Sequence, residues 1–122
     1  MSEIKFIDLF AGIGGIRKGF EQACAKYGYS PKCVFTSEIK ETAIKILNQN
    51  HPNEIVSGDI TKIDPESIPN FDVLLGGFPC QAFSSAGKRQ GFNDTRGTLF
   101  FNVANILKTK KPKGFILENV EG

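Results

Sequence analysis

Cysteine is scarce in this chain and shows no pairing pattern. The 122 residues hold three, Cys24, Cys33 and Cys80, without a CxxC spacing, and an odd number argues against a disulfide framework. Histidine is scarcer still. The one residue, His51, leaves a His/Cys zinc site almost no choice of ligands, so no metal is expected. No apolar run approaches the roughly 18 residues that cross a bilayer, and the opening MSEIKFIDLF lacks the basic start and small-residue cleavage site of a signal peptide. An excess of one charge is also missing. With 15 basic and 13 acidic side chains the formal charge is +2, which excludes a histone-like tail or an acidic solvating segment. Repeats and low-complexity tracts are absent. What is present, at 40% hydrophobic content, suffices for one compact domain. The expectation is a soluble, cytoplasmic, metal-free domain that does not engage a membrane.

The small net charge is unevenly placed. Residues 1–85 carry 8 basic and 10 acidic groups, whereas residues 86–113 carry 7 basic groups against Asp94 alone. A basic sector in a nearly neutral chain points to an anionic partner. Since KTKKPK supplies four of the seven, charge alone favours a solvated helix and turn.

Two hydrophobic periods alternate along the chain. Residues 4–10 (IKFIDLF) read as a strand running into the glycine turn AGIGG. Ile16, Phe20, Ala23 and Tyr27 then recur at helical spacing, on a helix that ends near Gly28. Residues 33–37 are a short β-rich run, and Ile39, Ala43, Ile46 and Leu47 make a second helical stripe that stops before Pro52. Residues 54–57 read as a third strand, followed by Gly58 and Asp59; Asp64 and Pro65 have the character of an N-cap and first helical position. Residues 71–75 are nearly continuously apolar, as a buried parallel strand is.

From residue 76 to 97 no period holds. This segment carries five glycines, three phenylalanines, Pro79 and Cys80, and a structureless run of that length is usually functional. Leu99, Phe100, Val103, Ile106 and Leu107 then form a third helical face, and residues 114–117 a fifth strand. Alternating β and α elements predict an α/β fold with a parallel sheet covered by helices. Only five residues follow the fifth strand, so the sheet is expected to be incomplete, the front part of a larger domain. A shortened chain, one subunit of a split protein or a broken reading frame would each account for that.

The turn after the first strand places Gly12, Gly14 and Gly15 before a helix, where a backbone can approach a ligand closely. The dinucleotide fingerprint GxGxxG fails, because Arg17 stands where the third glycine is required. Glu38 follows the second strand, where an acid can hold ribose hydroxyls, and Asp59 follows the third, where it can accept from an adenine amino group. Together they suit an adenosine-containing cofactor; singly, each is equally a helix cap or a solvated loop acid. Cys80 sits in GGFPCQAFSSAG with Lys88, Arg89 and Arg96 nearby in sequence, an electropositive setting that favours a thiolate. A phosphatase loop is excluded by Ala86, and His51, at a helix end, is a poor activating partner for a thiol peptidase. Cys24 and Cys33 read as packing residues. Glu118 ends the fifth strand, at the edge where ligands lie.

Three segments in order, FIDLFAGIGGIRKGFE, GGFPCQAFSSAGKRQGFNDTRGTLFF and ILENVEG, closely resemble the DNA cytosine-5 methyltransferases of bacterial restriction–modification systems. The resemblance covers essentially the whole chain, and Pro-Cys-Gln with Glu-Asn-Val is a specific combination. It implies the class I, Rossmann-like methyltransferase fold, here about its first five strands, and S-adenosylmethionine as cofactor. By position, Phe10, Gly12, Gly14 and Gly15 match the cofactor-binding turn, Glu38 the ribose acid, and Asp59 and Ile60 the adenine contacts. Cys80 matches the nucleophile and Glu118 the acid that contacts the cytosine ring. Pro79 and Asn119 match residues that order the site, while Ser84 and Arg96 lie in the stretch resembling the mobile catalytic loop. The implied partners are double-stranded DNA and either the remainder of the chain or a complementary subunit. Residues 1–122 would then be the N-terminal part of the catalytic and cofactor-binding domain, without the target-recognition region. Two other classes stay open. A nicotinamide oxidoreductase would share the strand–turn–helix start but gives no reason for PCQ and ENV. A non-catalytic module that binds cofactor or a partner subunit fits the short chain.

Overall fold

The apolar run after Lys5 becomes the central strand of a parallel sheet. In the computed structural model, which describes residues 2–12, 15–79 and 95–120, the elements are β1 (Ser2–Leu9), α1 (Gly15–Lys26), β2 (Tyr29–Ser37), α2 (Glu41–Asn50), β3 (Val56–Ser57), 3₁₀ turns at Ile60–Lys62 and Pro65–Ser67, β4 (Val73–Pro79), α3 (Thr95–Lys110) and β5 (Gly114–Val120). The strand order is β3-β2-β1-β4-β5, and each pairing is parallel. Flanked on both sides, β1 buries both faces. Ile7 and Leu9 join a core with Ile60, Ile68, Phe71, Leu74, Val103 and Ile106, under α3 and the 3₁₀ turns. Phe6, on the alternate face, meets Phe20 of α1 with ring centroids 5.1 Å apart.

Several ends follow local chemistry legible in the sequence. Gly28 adopts φ +81°, the left-handed geometry that closes α1. Asp64 Oδ1 accepts from the Glu66 N–H at 3.0 Å with Pro65 next to it, although the turn it caps is 3₁₀ rather than α. His51 terminates α2, its N–H donating to the Leu47 carbonyl at 2.8 Å.

Elsewhere the structure differs from the sequence pattern. The buried face of α1 runs through Arg17 and Cys24, not through Ala23 and Tyr27; Tyr27 lies past the helix end and is 71% exposed. The stripe on α2 rests on Ala43 and Leu47, with Ile39 and Ile46 exposed. β3 is only two residues long, and Glu54 stands outside it. β4 begins after Phe71 and continues through Gly76 to Pro79, while β5 extends to Val120, because the parallel ladder continues from Val73 opposite Gly114 to Pro79 opposite Val120. Ladder hydrogen bonds do not need the hydrophobic period that the sequence reading relied on. Of the aperiodic segment 76–97, therefore, the first four residues are strand and the last three helix.

The outer edge of β5 is unpaired among the described residues, and Phe115 and Ile116 on it are 56% and 47% exposed. An apolar, seven-residue open edge is a template for pairing. The 122-residue chain alone is therefore expected to elute in size-exclusion chromatography as concentration-dependent oligomers, and Ile116→Lys to shift it toward monomer. A monodisperse monomer at all concentrations would contradict this.

Candidate active site

Strand order reverses between β1 and β4, and in open α/β sheets the ligand crevice lies beyond the carboxyl ends of the strands at such a switch point. The register sets that rim. Leu9 pairs with Ser37 on one side and Gly76 on the other, and Gly76 with Leu117. One step outward stand Phe10, Gly77 and Glu118. Here a cavity of about 380 Å³ is lined by Asp8, Phe10, Gly12, Gly15, Gly77 and Glu118, among others.

The turn leaving β1 is unusual in backbone geometry. Phe10 has φ +56° and Gly12 φ +58°. Glycine tolerates that region, but a bulky aromatic there is strained by roughly 1–3 kcal/mol, the kind of strain that accumulates at functional sites. The neighbouring strand end holds the turn in place. The Ala11 N–H donates to the Ser37 carbonyl at 3.1 Å, and the Gly12 N–H donates to Glu38 Oε1 at 2.6 Å. Glu38 Oε2 accepts from the Ile39 and Lys40 N–H groups, each at 2.9 Å. A carboxylate offers about four acceptor positions, so Oε1 keeps capacity for a hydroxyl.

A smaller recess, about 40 Å³, lies between Phe10, Ser37, Glu38, Ile39, Asp59 and Ile60. Asp59 caps the 3₁₀ turn, its Oδ1 accepting from the Thr61 N–H at 2.9 Å and the Thr61 hydroxyl at 2.7 Å. These two bonds hold its carboxyl below the ordinary aspartate value. Phe10 walls both spaces, so the two are adjoining. The structure thus brings Phe10, Gly12, Gly15 and Glu118 around one space and Phe10, Glu38, Asp59 and Ile60 around the other. Pro79 and Asn119 lie farther out on the same rim, opposite Val120 and Phe78, and Arg96 lies in the first turn of α3. For these three the backbone alone is described. Gly14, Cys80 and Ser84 lie outside the described residues.

Two groups escaped the sequence reading. Asp8 is 2% exposed, and its Oδ2 has no hydrogen-bond partner among the described residues. Burial pushes its carboxyl up to about 7, with Arg17 opposing and Glu21, Glu38 and Glu54 adding to the rise. The signal was there: one charged residue inside an apolar strand, two positions before a strained turn. Arg17, 4% exposed, is the other. Its guanidinium donates to both oxygens of Glu54, at 2.6 and 2.7 Å, and to Glu21 at 3.1 Å, and it lies 5.4 Å from the Phe6 ring centroid. The third glycine of a dinucleotide fingerprint is absent because this position anchors α1 instead. Cys24 is buried in α1 and Cys33 is half-buried, 3.2 Å from the Thr36 hydroxyl; burial raises both thiols.

This architecture has relatives. The S. pombe Dnmt2 methyltransferase superposes with a TM-score of 0.71 at 24% identity, over 98% of this chain and 37% of that one. A TehB-like SAM-dependent methyltransferase from Corynebacterium glutamicum gives 0.53 at 18% identity, over 96% and 55%. At these identities the likeness establishes the fold, an incomplete class I methyltransferase sheet. In sequence, the Type II methyltransferase M.NlaIV of Neisseria lactamica is 71% identical over 122 residues, all of this chain and 29% of that protein. The Type II methyltransferase M.NgoBV of Neisseria gonorrhoeae is 70% identical over the same span, again 29% of its length. The chain thus spans less than a third of these curated relatives. The model of the C-5 cytosine-specific DNA methylase family matches residues 4–122. On a match that leaves out only the first three residues, the chain belongs to the C-5 cytosine-specific DNA methylase family.

Proposed function

We propose that this chain is the N-terminal, cofactor-binding and catalytic part of an enzyme that transfers a methyl group from S-adenosylmethionine to carbon 5 of cytosine in double-stranded DNA. The observation that carries the reading is the rim of the switch point: the cavity at the end of β1 is shared by Glu118, and the strand beside Glu118 ends at Pro79, the residue before Cys80. The residues fit the cofactor. Glu38 has acceptor capacity for a ribose hydroxyl, Asp59 and Ile60 line the adjoining recess, and Asp8 offers a buried oxygen in the larger space that has no partner among the described residues. S-adenosylmethionine supplies an electrophilic methyl group on a sulfonium.

Carbon 5 of cytosine is a weak nucleophile. Addition of the Cys80 thiolate to carbon 6 would form a C–S bond and break the 5,6 π bond, giving carbon 5 the electron pair with which it could take up a methyl group. Loss of the carbon-5 proton to a base and expulsion of the Cys80 thiolate would then restore the ring double bond and free the enzyme. One difficult step becomes two easier ones. Glu118 faces N3 of the base in this scheme and stabilises the charge that builds on the ring by sharing a proton. The reacting carbon is inaccessible inside duplex DNA, so the nucleotide is flipped out to reach Cys80, with Ser84 and Arg96 contacting the DNA. Asn119 and Pro79 order the pocket around the base. The remainder of the polypeptide, or a complementary subunit, supplies target recognition, and the proposed location is the bacterial cytoplasm. Among the described residues no helix is long and apolar enough to cross a membrane.

The test uses the whole polypeptide carrying this segment, methyl-labelled S-adenosylmethionine and duplex DNA. Label is expected on carbon 5 of cytosine. Calorimetry with S-adenosylhomocysteine is expected to show binding that Asp59→Ala weakens about tenfold, the loss of one charge-assisted hydrogen bond. Label on an exocyclic amine would overturn the reaction, and equal binding by Asp59→Ala would overturn the adenine contact. Cofactor binding without any transfer would leave a non-catalytic binding module.

A further inference from the structure

We infer that the amino end of the sheet, on the side of α3, is a second surface for the phosphate backbone of duplex DNA, one that lets the enzyme pass directly from one duplex segment to another. The inference rests on the DNA reading above and adds a surface remote from the crevice. Strand register builds it. Lys5 of β1 stands opposite Lys32 of β2, and one step before the β4 and β5 ladders begin come Asp72 and Lys113. Across the sheet the row reads Lys32, Lys5, Asp72, Lys113, and at about 4.8 Å per strand it spans roughly 14 Å. Lys5 alternates with Ile7 and Leu9, so it shares the sheet face that packs under α3. Lys5, Lys32 and Lys113 are all exposed. α3 runs back against the strands and brings Lys108 and Lys110 of its last turn, with Lys111 after them, to the same end.

Three of these lysines work against folding where they stand. Lys5 and Lys32, side by side on neighbouring strands, repel each other. Lys111 adopts φ +48°, the left-handed position after a helix where glycine or asparagine is favoured. Asp72 does little to neutralise the row. Its Oδ2 accepts from the Lys5 N–H at 3.0 Å, and its Oδ1 lies 3.9 Å from Nζ of Lys113, whose side chain is 87% exposed. Counting Glu3, Asp64 and Glu66 on adjoining segments, six lysines still face four acids. Local rules broken with no gain to folding mark a functional surface. The chemistry selects the partner. Lysines are flexible point charges suited to phosphate, and the row holds no arginine fork or aromatic ring to read a base, so it takes DNA by its backbone whatever the sequence. Charge recurs about every 3.4 Å of axis along one strand of a duplex, so the row meets about four phosphates. From Lys5 to Leu9 at the rim is roughly 13 Å along β1, at the opposite end of the strands. A duplex at the crevice therefore leaves this surface free for another.

The experiment compares the whole polypeptide with its triple variant Lys5→Gln/Lys32→Gln/Lys113→Gln. Each is loaded on a labelled duplex, and release is followed as unlabelled duplex is added. With direct transfer, the wild-type release rate climbs with the concentration of the second duplex; in the variant it is expected to stay constant. Binding of a second duplex to the loaded wild type should weaken with salt at a log–log slope of about −2.7, close to −0.9 for each of three lysines, and should fall at least tenfold in the variant. Methylation of one short duplex, which uses the crevice alone, should stay within about twofold of wild type. A wild-type release rate that ignores the second duplex, or transfer undiminished in the variant, overturns the surface and leaves the proposed reaction intact. Loss of methylation on the short duplex in a folded variant also overturns it, by assigning these lysines to an acidic segment of the polypeptide itself. If the wild type neither binds nor methylates DNA, the underlying reading falls too. The wild-type release rates alone decide the matter should the variant fail to fold.

Discussion

Cys80→Ser in the whole polypeptide is expected to eliminate the covalent complex with DNA containing 5-fluorocytosine and to lower methyl transfer by about 10⁴-fold or more. The size of the effect follows from the chemistry. A thiol titrating near 8.5 has a few per cent thiolate at neutral pH and is intrinsically nucleophilic, whereas a serine hydroxyl has neither advantage without an activating base. The sequence around position 80 offers no histidine to act as such a base; its charges are Lys88, Arg89 and Arg96 against Asp94. Fluorine at carbon 5 blocks the proton loss that would release the enzyme, so the adduct accumulates and can be counted on a denaturing gel. Cys24→Ser and Cys33→Ser serve as controls. The first thiol is 5% exposed and the second is held against Thr36, and burial keeps both in the thiol form. Both variants should still form the adduct. An adduct that survives Cys80→Ser would remove the nucleophile from the proposal while leaving the cofactor site untouched.

The order of elements was legible because each strand and helix announces itself through local pattern: an apolar run before AGIGG, a stop at Gly28, and a cap at Asp64 followed by Pro65. The positions of Glu38 and Asp59 at the rim were legible as well, since residues just after a parallel strand lie at the crevice whatever the side chains around them. What escaped the sequence reading was long-range. The rotation of α1 is decided by Arg17, whose partner Glu54 lies 37 positions away, and no helical period contains that information. Hydrophobic spacing instead selected Ala23 and Tyr27, which are exposed. The extension of β4 through Gly76 to Pro79 depends on β5 supplying the ladder, across 41 positions from Pro79 to Val120. Asp8 reads in sequence as a polar break in a strand. Only its position between two buried layers makes it a buried acid beside a cavity, with one oxygen unpartnered among the described residues.

Glu54→Ala is expected to destabilise the folded protein by about 3 kcal/mol, and Arg17→Met by clearly less, although Arg17 is the more deeply buried partner. The two side chains are 5% and 31% exposed. Removing Glu54 strands a guanidinium that cannot lose its proton, with Glu21 at 3.1 Å as the carboxylate still bonded to it. A buried charge deprived of its partner is the costly half of such a pair. Removing Arg17 leaves carboxylates that are a third exposed and can be hydrated, and methionine retains much of the stem that packs against Phe6. The double variant Arg17→Met/Glu54→Met should recover most of the loss, since an apolar pair of similar volume replaces a buried ion pair at little cost. Thermal unfolding at pH 6 checks all three, where about 3 kcal/mol corresponds to a fall in Tm of roughly 10 °C. At pH 8 Arg17→Met should become more damaging, because the positive neighbour that helps Asp8 ionise is gone and its carboxyl must be kept protonated or left buried as an unpaired charge. An Arg17→Met variant as destabilised as Glu54→Ala at pH 6 would show that the stem packing and the cation over Phe6, rather than the stranded charge, decide how firmly α1 is held over the β1 turn.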